Sequence, residues 1–292
     1  SATRRTRRVQ LFTCAPGHLH GSPGTPSFST VALSQRPDSV SASMDGAEFL
    51  ALPDGSAIAY HHSPGSTPGI VFCAGFNSNM QGIKALALEQ WCRQQGRQYT
   101  RFDYFGHGQS SGCVEQGCIG RWRDDTLAVL DELTSGPQIV VGSSMGGWLM
   151  LLVAQERPER VLGLVGLAAA PDFTQRLRSS LTAEQRRQLE SIGHADLANC
   201  YDDGEPFRIG RLLLEEGDAH LLLDSEISFE GPVRLIQGQR DEDVPWQLAL
   251  GLAEKISSVD VEVQLVKNGD HRLSEAADLE RLRVTLGQML PR

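Results

Sequence analysis

The sequence predicts an α/β fold: a mostly parallel central sheet, helices on both faces, and a helical lid insertion. Three observations predict it. Short apolar runs rich in β-branched residues recur along the chain, separated by amphipathic runs of helical period. Glycine or proline punctuates most junctions between them. From residue 172 to about 229 this rhythm stops, and the chain becomes polar and helical with no clear strand; that stretch reads as the lid.

The elements follow in order. "AEFLALPDGSAIAYHH" reads as two strands joined by a Pro53-Asp54-Gly55 turn. "GIVFCAGF" (Gly69 to Phe76) is a continuous apolar run, as expected of a parallel strand buried on both faces. "KALALEQWCRQQG" is a helix closed by Gly96, and "QYTRFDY" the next strand. "RWRDDTLAVLDELTSG" is an amphipathic helix stopped by Gly136. "PQIVVGSS" is another buried strand, "MGGWLMLLVAQER" a helix stopped at Pro158, and "VLGLVGLAAA" a further strand. After the lid the pattern resumes with the strand "PVRLIQGQ", the helix "PWQLALGLAEKI", the strand "VEVQLV" and the helix "DLERLRVTLGQML". The folded domain is expected over residues 45–292.

Charge separates the first residues from the rest. Residues 1–37 hold Arg4, Arg5, Arg7, Arg8 and Arg36 and no acid, which leaves 22 of the 27 basic residues against all 36 acids, a net of −14. An acidic body lacks the basic face that phosphates require, so nucleic acid is not an expected partner. The Arg-, Ser- and Pro-rich residues 1–44 have the composition of a mitochondrial transit peptide, with the matrix as the expected destination. No apolar run approaches the ~20 residues needed to cross a bilayer. Six cysteines are too sparse for a disulfide scaffold, so free thiols are expected, although Cys113 and Cys118 are close enough in sequence to pair.

The stretch "VVGSSMGGW" carries the chemistry. Gly142-Ser143-Ser144-Met145-Gly146 fits G-x-S-x-G, a sharp strand-to-helix turn that presents a nucleophilic serine. The turn demands small residues two before and two after the nucleophile. Ser144 has glycines at both places, whereas Ser143 has Val141 two before it, so Ser144 is the candidate. Its hydroxyl needs a base, and the base needs an orienting acid. In chain order the acid comes before the histidine in such proteins. Of the three histidines after Ser144, His194 and His220 fall in the lid, and His271 follows the strand "VEVQLV" in "KNGDHRLSE". "GQRDEDVP" supplies the acid, with Asp241 preferred over Asp243. The Met145 and Phe76 backbone N–H groups are expected to form the oxyanion hole, with Gly75 allowing close approach. His107, in "FDYFGHGQSSG", precedes the nucleophile and is flanked by glycines; it reads as a structural turn residue.

Taken together, "CAGF", "FDYFGHGQSSG", "VGSSMGGW", "GQRDEDVP" and "GDH" resemble the motifs of the α/β-hydrolase superfamily, in its order, over residues 47 to 290. The Arg-rich leader and "VGSSMGGWLMLL" are most similar to a mitochondrial branch of that superfamily. The resemblance implies an α/β-hydrolase fold with Ser144, Asp241 and His271 as nucleophile, acid and base. It also implies acyl-protein thioesterase (depalmitoylase) and acyl-glucuronide esterase activity, on an acylated protein or a small acyl ester or thioester. No metal or organic cofactor is expected. A serine peptidase on the same fold is the alternative, as is a binding module without activity, which has no need of all three residues. The leucines of "RLLLEEGDAHLLLDSEI" either wall an acyl chain or anchor the lid, and one of the lid arginines, such as Arg176, could meet a substrate carboxylate.

Overall fold

A computed structural model describes residues 46–198 and 206–290; the leader expected over residues 1–44 lies outside the described residues. The expected alternation is present. Strands β1 (Glu48–Ala51), β2 (Ala57–Ser63), β3 (Ser66–Cys73), β4 (Arg97–Phe102), β5 (Gln138–Ser143), β6 (Val161–Leu167), β9 (Val233–Gly238) and β10 (Val261–Val266) form one sheet. Its order is β1-β2-β4-β3-β5-β6-β9-β10. The β1–β2 and β2–β4 pairs are antiparallel and the rest parallel. Helices α1 (Ile83–Gln94), α2 (Ile119–Leu133), α3 (Met145–Glu156), α7 (Gln247–Lys255) and α8 (Ala276–Met289) make the crossovers and close the chain.

From β3 the chain first goes to one side of the sheet, to β4, and then returns to place β5 on the other. Such a switch point leaves a crevice at the carboxyl ends of the two strands, where open α/β sheets bind their ligands. β5 is buried along its length, as expected of a central parallel strand covered on both faces. Helix α3 is apolar almost all round, with ten buried residues, and fills the space behind β5. Trp122 on α2 and Trp148 on α3 are fully buried and satisfy their indole N–H groups on carbonyls, of Phe105 and His220 respectively, both at 2.9 Å.

Between β6 and β9 the chain builds α4 (Phe173–Ser180), α5 (Ala183–Ile192), α6 (Arg211–Gly217) and two short strands, β7 (His194–Leu197) and β8 (Phe207–Gly210). The strands correct the expectation that this stretch has none. They pair antiparallel, with Arg208 opposite Asp196 and bonded to it at 3.0 Å. At four residues each, mixed in polarity, "HADL" and "FRIG" are too short for the two-residue period to show. The insertion is tied down: Asp172 accepts from the Leu222 and Leu223 amides, and Glu216 from the Gly120 amide. Leu213, Leu214 and Leu222 are buried in the core, so this leucine run serves as the anchor.

The expectation of free thiols holds for Cys73, Cys92 and Cys118, which are buried. Burial pushes their thiols up to about 12, 12 and 11, which makes them inert near neutrality. It fails for Cys113, which is held in a disulfide. Cys118 is not its partner: it is a free thiol, buried at the start of α2.

Candidate active site

β5 ends at Ser143 and α3 begins at Met145, so Ser144 alone makes the turn. Its backbone is at φ 54° and ψ −118°, a conformation a side chain normally avoids. Two features hold it there. The Ser144 amide donates to the Leu167 carbonyl on β6 at 2.9 Å, and the Ser144 carbonyl accepts from the Ala170 amide at 3.0 Å. The glycines on either side are required: a Cβ on Gly142 would lie 2.3 Å from the Gly146 carbonyl oxygen, and one on Gly146 would lie 2.1 Å from that of Cys73. The elbow is therefore pressed against the end of β3, which leads into the loop carrying Phe76.

The three side chains expected to act together do meet. His271 Nε2 is 3.0 Å from Ser144 Oγ, and His271 Nδ1 is 2.9 Å from Asp241 Oδ2. They come from the ends of three different strands, β5, β9 and β10. The Asp241 carboxylate is saturated: Oδ2 also accepts from Gln237 Nε2 at 2.8 Å, and Oδ1 accepts from the Asp243 and Val244 amides at 2.9 and 2.8 Å. Burial alone would raise its pKa. The contacts with His271 and the donors from Val244 and Gln237 outweigh burial and hold it below the usual carboxylate value. Asp243 approaches the same place, and Asp241, Asp243 and His271 have ligand atoms within 4.8 Å of one another. They are poor metal ligands as arranged, because the lone pairs of Asp241 are already engaged in hydrogen bonds. The loop of His271 is steadied by Lys84, whose ammonium donates to the Arg272 carbonyl. Asp270, next to the histidine, accepts from the Leu273 amide at 3.0 Å and so shapes the turn instead of orienting the ring.

The two amides expected to bind an oxyanion are both unengaged among the described residues. Met145 begins α3, and Phe76 follows Gly75, where an added Cβ would lie only 3.4 Å from the Ser144 Cβ. Two cavities open from Ser144, and Phe76, His271 and Phe207 line both. One, of about 500 Å³, is the more polar of the two and runs past Asn77, Lys84 and Asp270. The other, of about 430 Å³, lies under the insertion and is walled by Phe173, Leu177, Leu197 and Val244. The apolar wall thus comes from α4 and β7, residues that sequence reasoning did not single out; Phe173 and Leu177, one helical turn apart, were the available signal. Arg176 enters the same cavity half-buried, with no hydrogen bond or ion pair among the described residues.

A strand, a strained serine and a helix on a parallel sheet, with a histidine and an aspartate reaching the serine from later strands, are the arrangement of α/β hydrolases. The chain belongs to that family, and the family model for the alpha/beta hydrolase fold matches residues 68–199. Among its relatives is the mitochondrial palmitoyl-protein thioesterase ABHD10 of Mus musculus, 44% identical over 242 residues, 83% of this chain and 82% of that protein. The Homo sapiens counterpart is 40% identical over 83% of this chain and 79% of its own. The solved structure of mouse alpha/beta hydrolase domain-containing protein 10 covers 84% of this chain and 98% of its own, with 43% identity and a TM-score of 0.77.

Proposed function

We propose that the chain is a serine hydrolase of acyl thioesters and esters that works through an acyl-Ser144 intermediate, with S-palmitoyl protein as substrate. The observation that carries this is the relay from Ser144 Oγ through His271 to Asp241, at 3.0 and 2.9 Å. His271 Nε2 takes the Ser144 proton as Oγ attacks the acyl carbonyl. Asp241, ionised and acceptor-only, keeps the proton on Nδ1 and stabilises the imidazolium that forms. The Phe76 and Met145 amides receive the oxyanion, a contribution of roughly 3 to 4 kcal/mol per donor. His271 then gives its proton to the leaving thiolate or alkoxide. Water attacks the acyl-enzyme with the same histidine as base, releasing the fatty acid and restoring Ser144. The apolar cavity under α4 suits an acyl chain, and the polar cavity suits the polypeptide that carried it. The names of the mammalian relatives support palmitoyl-protein as the substrate class and the mitochondrion as the location. The finer parts of the proposal rest on the sequence: residues 1–44, Arg-rich and almost free of acids, as the leader, the matrix as the compartment, and residues 172–229 as the lid.

Turnover of a palmitoyl-cysteine thioester peptide by the purified protein is the direct test. Release of free thiol by wild type, with no cleavage of the peptide bonds of the same substrate, is expected. A folded protein that cleaves the peptide and spares the thioester would favour the peptidase reading.

Acyl-glucuronide hydrolysis is the finer part of the proposal. Arg176 supports it: a half-buried guanidinium in the reactive cavity, whose cation is disfavoured by burial and partly compensated by Asp241 and Asp243, has donors left for a carboxylate. Arg176→Gln is expected to lower kcat/KM on an acyl glucuronide by about tenfold or more, the worth of a hydrogen bond to a charged group. The same change should spare a neutral 4-nitrophenyl ester. Equal losses on the two substrates would remove Arg176 from glucuronate recognition.

A further inference from the structure

The loop "FDYFGHGQSSG" contributes no group to the relay, yet it holds one of the most buried histidines of the chain: His107 is only 4% exposed. Its ring packs edge-on against Phe76, Tyr104 and Trp122, with centroids 6.0, 5.7 and 5.2 Å away. Both nitrogens are used. Nδ1 is 3.1 Å from the Phe105 carbonyl oxygen, which can only accept, so Nδ1 carries the proton. Nε2 is then bare, and it accepts from the Asn77 amide at 3.1 Å. One tautomer of the neutral ring satisfies both contacts.

Asn77 stands in the loop that supplies the first oxyanion donor. Its φ is 53°, in the left-handed region. The turn is closed behind it, where the Ser78 amide donates to the Gly75 carbonyl at 3.1 Å. Of the three successive amides of Phe76, Asn77 and Ser78, the second is fixed by His107 and the third by the turn. That of Phe76 is left without an acceptor among the described residues. The far end of the loop is held by the same element, because the Met80 amide donates to Asp103 Oδ1 at 2.7 Å. Asp103 Oδ2 in turn accepts from the Gln109 amide at 2.8 Å.

We propose that His107 is a positioning residue for hydrolysis: as a neutral acceptor for the Asn77 amide, it fixes the Gly75–Ser78 turn so that the Phe76 N–H points at the oxyanion formed on Ser144. This rests on the serine-hydrolase reading. Burial supports it by pushing the imidazole down to about 4, so the ring stays uncharged and Nε2 stays an acceptor throughout the neutral range. A protonated ring would turn a donor toward the Asn77 donor. The expected signature is a loss confined to the transition state, because an amide that points a little away from its target still permits substrate binding.

The test compares wild type with His107→Leu, which keeps the packing and removes the acceptor, and His107→Gln, whose amide oxygen can replace Nε2. Kinetics on a neutral acyl ester are measured beside binding of an alkyl boronic acid, which forms a tetrahedral adduct on the serine. His107→Leu is expected to lower kcat by about 10- to 100-fold, part of the roughly 10²- to 10³-fold that a whole oxyanion donor supplies. KM should change little, and boronate affinity should fall in parallel with kcat. His107→Gln should recover most of both. A folded His107→Leu protein with wild-type kcat overturns the proposal. So does a His107→Gln protein as slow as His107→Leu, since that assigns the ring to packing. Should the variants fail to fold, wild type still decides. A nitrogen–nitrogen coupling across the Asn77 N–H···Nε2 hydrogen bond, measured by NMR, is expected, and its absence overturns the proposal. A wild type whose turnover does not depend on Ser144 would instead sink the serine-hydrolase reading itself.

Discussion

Ser144→Ala is expected to remove labelling by a fluorophosphonate probe and to cut thioester turnover by about 10⁵- to 10⁶-fold, while Ser143→Ala leaves both in place. The size follows from the role. Oγ forms the bond to the acyl carbon, and no later group can act without that bond; losses of about 10⁶-fold are typical when a triad nucleophile is deleted. The asymmetry follows from position. Ser144 occupies the turn at φ 54° with its hydroxyl 3.0 Å from His271 Nε2, and Ser143 is the last residue of β5, buried at 6% exposure. Alanine retains a Cβ and every backbone hydrogen bond of the elbow, so Ser144→Ala should melt at the wild-type temperature. That separates lost chemistry from lost fold. Labelling that survives in Ser144→Ala would place the nucleophile elsewhere, and a folded wild type that does not label would return the binding-module reading to consideration.

The elbow could be read in the sequence because its demands are local: a buried strand, a glycine two before and two after, and a helix. Asp241 and His271 could be read because chain order and strand ends constrain them, although 97 and 127 residues separate them from Ser144. What stayed hidden depends on contacts that no local pattern encodes. β7 and β8 are stabilised by each other and by the packing of Ile209 and Ala195, at four residues each. Six arginines of the insertion look alike in sequence; only folding turns Arg176 into the cavity and ties Arg178 to Asp218 and Arg208 to Asp196. His107 reads correctly as a turn residue, between Gly106 and Gly108 at positive φ, but its bond to Asn77 spans 30 residues. A histidine clamped between two such glycines is a signal worth heeding: a Cβ on Gly108 would lie 2.0 Å from an Asp103 carboxylate oxygen, so the loop has little freedom.

The second large effect is expected from Asp241→Asn: a fall in kcat of about 10⁴-fold, the typical result when a triad aspartate becomes an amide. The hydrogen bonds of this site give the reason. Asp241 accepts four donors: two backbone amides on Oδ1, and His271 Nδ1 and Gln237 Nε2 on Oδ2. Asparagine must put an NH₂ in place of one oxygen. At the Oδ1 position it would face the Asp243 and Val244 amides, which cannot turn away. At the Oδ2 position it faces Gln237, which can shift toward the Val244 carbonyl 3.3 Å away, and His271, which can change tautomer. The second arrangement is the less costly. It leaves His271 with its proton on Nε2, facing Ser144, where it cannot accept the serine proton. The fold should survive, because the volume is unchanged and most hydrogen bonds are remade. Asp241 also carries a pH-dependent part of stability. Its pKa is depressed in the folded state, so its contribution is complete above the unfolded value of about 4 and is lost as pH falls through the lower folded one. Asp241→Asn should therefore narrow the difference in melting temperature between neutral and acidic solution. The two variants also test whether the three residues act as a unit. Combining Ser144→Ala with Asp241→Asn should cost no more activity than Ser144→Ala alone, because an imidazole of either tautomer has no proton to take. Losses that multiply instead would mean that Asp241 acts on turnover by a route that does not pass through Ser144.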